Sequence, residues 1–237
     1  MLRVRPLVYT HDLPRATAFL QALGLTPAGD PATSADYAVF DAGSGRVALH
    51  TCTPGSPEEG TAALAFDVSD VREFARRTAG AGNAVELSEE GHGLAARVTA
   101  PDGLSFLADL GPRVTGAPPS PLSVLALWYR PDVGPAVRVL KDIGARPRIS
   151  SEAGTWHDFS AKNGGLVAAH TADRVAVELA FEYDGDVRDL VGGLASGGFE
   201  PVIVDESYGC SLRVHAPWGA EVWINEWQRD FYGYIVH

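Results

Sequence analysis

The chain has 237 residues, enough for one large or two small cores, and an ordinary hydrophobic share of 46%. Its 19 Lys and Arg against 30 Asp and Glu leave a net charge of −11 with no basic run, which argues against nucleic acid and anionic membranes as partners. No apolar run reaches transmembrane length, Met1-Leu2-Arg3-Val4-Arg5-Pro6 lacks a secretory core, and Cys52 and Cys210 form neither a disulfide framework nor a metal motif, so a reduced cytoplasmic protein is expected.

In chain order, residues 3–9 alternate and predict a strand. Asp12 then caps a helix with Leu13, Ala16, Phe19, Leu20 and Leu23 on one face, Pro14 in its first turn and Gly24 as its stop. Residues 37–41 and 46–52 predict a hairpin, and 62–68 a further strand. Asp70 caps a second helix carrying Val71, Phe74, Ala75 and Thr78, halted by Gly80-Ala81-Gly82. Strands over 84–87, 94–99 and 104–109 follow.

After the Pro-rich spacer at 114–121 the same order returns. A strand at 124–129 leads to Asp132 and a helix with Val133, Ala136, Val137, Leu140 and Ile143. Strands near 155–159, 166–171 and 175–183 precede a helix carrying Val187, Leu190, Val191 and Leu194, which stops at Gly197-Gly198. Strands near 201–204, 211–215 and 220–225 finish the chain.

This return is a sequence repeat. Arg97-Val98-Thr99-Ala100-Pro101-Asp102-Gly103-Leu104-Ser105-Phe106-Leu107 reappears as Arg213-Val214-His215-Ala216-Pro217-Trp218-Gly219-Ala220-Glu221-Val222-Trp223, each copy reading strand, tight turn, strand. Gly45 to Thr51 matches Gly165 to Thr171, and Leu64-Ala65-Phe66-Asp67 matches Leu179-Ala180-Phe181-Glu182. Two homologous domains are expected, 1–113 and 122–237, each holding two β-α-β-β-β units.

Asp12-Leu13, Phe19, Leu23-Gly24, the run Leu64-Ala65-Phe66-Asp67-Val68 and the turn Pro101-Asp102-Gly103 resemble the vicinal oxygen chelate superfamily, which holds glyoxalase I, extradiol dioxygenases, fosfomycin-resistance enzymes and bleomycin-binding proteins. The resemblance implies an α+β fold of four tandem βαβββ modules whose sheets curl into two cups with helices outside. It also implies four ligand positions in metal-using members. Carried over, these fall on Arg5, His50, Ala63 and Leu107 in one half and Leu125, His170, Glu178 and Trp223 in the other. If modules were exchanged between halves, Arg5, His50, Glu178 and Trp223 would share a cup. Neither grouping supplies the three or four converging N or O donors a divalent ion wants. No resident metal or cofactor is therefore expected, a divalent metal being the alternative.

His50 and His170 recur at equivalent places and stand as ligand donors or acid–base groups, or else as hydrogen-bonded core imidazoles. Glu178 sits inside an apolar strand, where a lone carboxylate is costly, so it is expected to meet Arg5, His170 or a ligand. Glu221 shares the Trp223 face. All five tryptophans lie in the second half, and Trp156 and Trp223 are expected to border its cup, making that cup or the cleft between halves the place for a small aromatic organic ligand.

The leading functional expectation is thus a metal-free small-molecule binding protein of the glyoxalase/bleomycin-resistance type, sequestering a drug or natural product, as a monomer or homodimer. The alternative is an enzyme: a metal-free isomerase or cyclase with Glu178 or His170 as base and Arg5 on a developing oxyanion, or a metal-dependent lyase or dioxygenase.

Overall fold

A computed structural model describes residues 1–29, 34–206 and 209–237. The first module comprises β1 (Leu2–Val4), β2 (Leu7–Thr10), α1 (Leu13–Ala22), β3 (Thr26–Pro27), β4 (Tyr37–Asp41) and β5 (Arg46–Thr51). The second has β6 (Ala62–Ala63), β7 (Ala65–Val68), α2 (Val71–Gly80), β8 (Ala84–Glu90), β9 (Gly93–Thr99) and β10 (Ser105–Leu110). The third has β11 (Leu122–Arg130), α3 (Gly134–Asp142), β12 (Arg146–Ser151), β13 (Trp156–Ser160) and β14 (Leu166–Thr171). The fourth runs from β15 (Ala176–Tyr183) through a 3₁₀ turn (Val187–Leu190) and α4 (Val191–Ser196) to β16 (Val202–Glu206), β17 (Gly209–His215) and β18 (Glu221–Glu226), with β19 (Tyr234–Val236) last. Four βαβββ modules are therefore present, in an α+β fold.

Strands of the second half form one nine-stranded sheet in the order β16-β17-β18-β15-β11-β14-β13-β12-β19. The first half has the same order but splits into β1-β7-β10-β9-β8 and β3-β4-β5-β2-β6. The split falls at Arg5-Pro6, because Pro6 has no N–H to give a ladder. The expected strand over 3–9 is thus two short ones, joined across the break by Arg5 N to Ala65 O at 3.0 Å and Ala48 N to Pro6 O at 2.9 Å.

The sheets are strongly curled. Arg148 on β12 donates to Glu182 on β15 at 2.7 Å, with β13, β14 and β11 between them. Four inter-strand steps in a flat sheet would separate these strands by roughly 19 Å. On the convex side, the helices pack their apolar faces onto Val4, Val8, Phe66, Val98, Val124, Trp128 and Phe181 in a core that runs through both halves. Phe106 and Trp128 meet across the two halves edge to face, 6.3 Å between centroids.

The repeated turn has the same hydrogen bonds in both copies. Gly103 N donates to Ala100 O and Ala100 N to Leu104 O; Gly219 N donates to Ala216 O and Ala216 N to Ala220 O. Both glycines have positive φ, 87° and 89°, as the turn requires. Each turn docks on the opposite half. Asp102 accepts from Arg130 Nη1 at 2.6 Å, and Trp218 packs edge-on against Phe19 at 5.2 Å.

Asp12 and Asp70 cap their helices through Arg15 N and Glu73 N, each at 2.9 Å. Asp132 does not. It accepts from Gly134 N in a tight turn, and α3 begins one residue later than expected, with Pro135 in its first turn. The fourth helix starts as a 3₁₀ turn; Gly192 and Gly193, poor helix formers, occupy the first turn of its α portion. No described helix is long and apolar enough to cross a membrane.

Candidate functional site

The floor of the first cup is a buried lattice of charge. Alternation turns Arg3, Arg5, Arg46, Asp41, Asp67 and Asp109 away from the helices, and all six are buried. Arg5 Nε donates to Asp67 Oδ1 at 2.6 Å, Arg5 Nη2 to Asp109, and Arg5 Nη1 to the Tyr37 hydroxyl at 2.9 Å. Arg46 donates to Asp41 at 2.7 Å and to Asp67 at 3.1 Å. Arg3 is held by the carbonyls of Asn163, Pro112 and Arg113 at 2.8, 2.7 and 3.1 Å. Burial alone would lower the Arg5 pKa, but Asp67, Tyr37 and Asp109 outweigh it and hold it above the ordinary value. Above this floor Tyr37, Leu7, Val39, Ala28 and Ala48 pack together.

The second cup is built differently. Its concave face carries a separate apolar cluster of Leu125, Leu127, Leu166, Ala168 and Ala180, with Tyr129 and Trp156 packed against it. Beside this cluster stands a charged triad of Arg148, Asp158 and Glu182. Arg148 Nε donates to Asp158 at 3.0 Å, and Asp158 also accepts from Ile149 N at 2.8 Å. Burial disfavours the Arg148 cation, yet Glu182 and Asp158 raise its pKa above normal.

The paired histidines stand at matching places. His50 lies between Tyr9 and Tyr37, at 5.9 and 6.1 Å between centroids, and His170 between Tyr129 and Trp156, at 5.4 and 5.5 Å. Strand register explains this, since Tyr9 and Tyr37 flank His50 as Tyr129 and Trp156 flank His170. Their hydrogen bonding differs. His50 Nδ1 lies 2.6 Å from Thr51 O, whereas His170 Nδ1 is buried with no partner among the described residues.

Several expected groupings do not form. Arg5 follows β1 and His50 lies on β5, both within the first half, whereas Glu178 and Trp223 lie on β15 and β18 of the nine-stranded sheet, so the exchanged cup of Arg5, His50, Glu178 and Trp223 is not assembled. His50 is level with Tyr9, four residues or roughly 13 Å along the strands from Arg5. His170 is likewise level with Tyr129, while Leu166 is level with Leu125. Glu178 meets neither Arg5 nor His170. Its side chain is 37% exposed and paired with Arg174, whose guanidinium also covers the Tyr129 ring at 5.4 Å. Trp223 lies under the Arg213 guanidinium at 3.7 Å, and Arg213 is tied to Glu206 at 2.6 Å. Glu221 is exposed at the start of β18.

The charged floor residues Arg46, Asp41, Asp67, Asp109, Arg148, Asp158 and Glu182 are not among the sequence-predicted site residues. A signal for them exists: Asp67 and Glu182 interrupt otherwise apolar strands at equivalent places in the repeat, and a buried acid must meet a base.

Two cavities open at the edges of this architecture. One of about 520 Å³ lies at the mouth of the first cup, lined by Tyr9, His50, Thr51, Cys52, Thr53, Pro54 and Glu58. The other, about 430 Å³, lies between the halves, where Arg15 stacks on Phe199 at 4.2 Å beside His11, Glu200 and His215.

The carried-over positions offer a divalent metal too few donors in either cup. Of the carried-over positions, Arg5 repels a cation, and Ala63, Leu107, Leu125 and Trp223 offer no donor. Among the described residues no group of three or more His, Cys, Asp or Glu is placed to hold an ion.

Residues 3–107 match the family model described as Glyoxalase/Bleomycin resistance protein/Dioxygenase superfamily. Solved structures share the fold over nearly the whole chain. The 2,3-dioxygenase LapB from Pseudomonas sp. KL28 is 15% identical, with 97% of this chain and 92% of that one covered and a TM-score of 0.64. The Mn(II)-bound glyoxalase from Novosphingobium aromaticivorans is 19% identical, with 94% and 80% covered and a TM-score of 0.61. Homoprotocatechuate 2,3-dioxygenase from Brevibacterium fuscum is 15% identical, with 95% and 79% covered and a TM-score of 0.62. No curated protein matches at a significant level. The first half thus matches the Glyoxalase/Bleomycin resistance protein/Dioxygenase superfamily model, and the chain as a whole shares the fold of these solved structures.

Proposed function

We propose that the protein binds a planar aromatic small molecule in its second cup, without a resident metal, in the manner of a drug- or natural-product-sequestering relative. The observation that carries this reading is the contrast between the floors. The first is filled by paired Arg and Asp, whereas the second presents Leu125, Leu127, Leu166, Ala168 and Ala180 beneath Trp156 and Tyr129. An apolar floor, aromatic walls and a few polar groups suit a small organic ring. His170, with Nδ1 unpartnered among the described residues, and the Arg174–Glu178 pair at the rim supply the polar anchors. The alternative, a metal-free isomerase or cyclase using Glu178 or His170 as base, would need an oxyanion partner other than Arg5, whose guanidinium is bound in the other cup.

Tryptophan emission tests the proposal. Trp156 and Trp223 are half-exposed on strands of the second cup, while Trp128 and Trp218 are core residues. Titration with a panel of aromatic natural products is expected to quench emission saturably, and Trp156→Phe with Trp223→Phe to remove most of that quenching. A panel without any saturable quencher, or quenching unchanged in the double variant, would count against it.

A further inference from the structure

We infer that the cavity at the mouth of the first cup is a second, chemically distinct site, which takes a compact organic cation bearing an apolar ring. Two of its walls are the Tyr9 and His50 rings, 5.9 Å apart between centroids. Its one formal charge is Glu58, which is exposed and whose carboxylate makes no hydrogen bond or ion pair among the described residues. An aromatic face beside an unpaired carboxylate is the arrangement that recognises an ammonium group. The chain's net charge of −11 adds long-range attraction for the same sign of ligand.

The wall is preorganised. The segment between β5 and β6 is folded by Ser56 N to Thr53 O at 3.0 Å, Glu59 N to Ser56 O at 3.1 Å and Thr61 N to Glu58 O at 3.0 Å. Glu59 bonds Gly55 N at 2.5 Å and contacts His11, and Tyr9 N to Thr61 O ties the segment to β2. These bonds fix the backbone at Glu58 beside the cavity, so the carboxylate starts from a defined place on its wall. Burial raises the Tyr9 pKa, with Glu58 contributing in the same direction, so Tyr9 keeps its proton and presents a neutral ring and a donor.

Calorimetric titration at pH 7 and low salt with three probes of one size separates the possibilities: 2-phenylethylamine, cationic; 2-phenylethanol, neutral; and phenylacetate, anionic. The amine is expected to bind about three- to tenfold more tightly than the alcohol, as an exposed ion pair with a cation–π contact allows, and phenylacetate more weakly than either. Glu58→Gln is expected to erase the advantage of the amine, and Tyr9→Leu to weaken both amine and alcohol. Trp156 lies in the second cup, so Trp156→Phe is expected to leave amine affinity unchanged. The site stands apart from the second-cup reading, since loss of either result leaves the other intact. Equal affinity for amine and alcohol, no amine binding, or an advantage that survives Glu58→Gln would each overturn the inference.

Discussion

Asp67→Asn is the sharpest perturbation of the first cup. Asp67 is 4% exposed and faces three guanidiniums, Arg5 at 2.6 Å, Arg46 at 3.1 Å and Arg3 at 4.0 Å. The floor holds three arginines and three aspartates and is formally neutral. The amide leaves one buried positive charge uncompensated. Removing one partner of a buried pair costs about 3–5 kcal/mol, a large part of the roughly 5–15 kcal/mol that stabilises a typical domain. Arg5→Met leaves the opposite excess, and its cost is expected to be similar. The double variant restores neutrality, with Arg46 still on Asp41 and His92 still 3.0 Å from Asp109. Urea unfolding at pH 7 of wild type, both singles and the double gives the coupling. The double is expected to be less destabilised than the sum of the singles by about 2 kcal/mol or more, with little dependence on salt because the charges are buried. Costs that add to within about 0.5 kcal/mol would show that the charges do not act as a lattice.

Other consequences are equally open to measurement. Asp102→Asn breaks an ion pair whose side chains are 7% and 8% exposed, so a loss of about 3 kcal/mol in urea unfolding is expected; no loss would mean that the turn does not hold the two halves together. Gly165→Ala is expected to lower the melting temperature markedly, since Gly165 has a φ of 85° and an added Cβ would lie 2.6 Å from Val4 Cβ; an unchanged temperature would refute that close approach. Hydrogen bonds from Arg76 and Arg77 hold the Glu73 carboxyl at about 2, below its ordinary value. Its stabilising effect is therefore present above about pH 4.3 and fades as the pH falls through 2, and a carboxyl NMR titration is expected to show that low midpoint moving up in Arg76→Gln/Arg77→Gln.

Most of the fold is legible in the repeat. The eleven residues from Arg97 and their copy from Arg213 specify both turns, and Asp12 and Asp70 mark helix starts that the hydrogen bonds bear out. Other elements carry weaker signals. The strand β12, Arg146-Pro147-Arg148-Ile149-Ser150-Ser151, has no apolar alternation, because its Arg148 serves the charge triad instead of a core. Asp132 looks like a helix cap in sequence because a tight turn uses the same side chain, and Pro135 then shifts the first turn.

The site is less legible, for a geometric reason. Period-2 alternation tells which face a side chain takes, but not how far the sheet curls or which rows come level. His50 and His170 are on the concave faces, yet four residues from the level of Arg5 and Leu125. Glu178 lies among apolar neighbours in sequence, and its partner Arg174 sits just before the strand, where the chain is open to solvent. The aromatic flanks of both histidines depend on the pairing of β4 with β5 and β13 with β14, which the hairpin pattern contains only implicitly.

The central claim is that the apolar floor of the second cup, not the charged floor of the first, receives a planar aromatic ring, and that it does so without a metal. A crystal structure of the protein with a saturably binding natural product tests it most directly. Ligand density is expected against Leu125, Leu166, Ala180 and Trp156, with no metal ion between ligand and protein. Density at the Arg5–Asp67 floor, or a ring held through a coordinated transition metal, would contradict it.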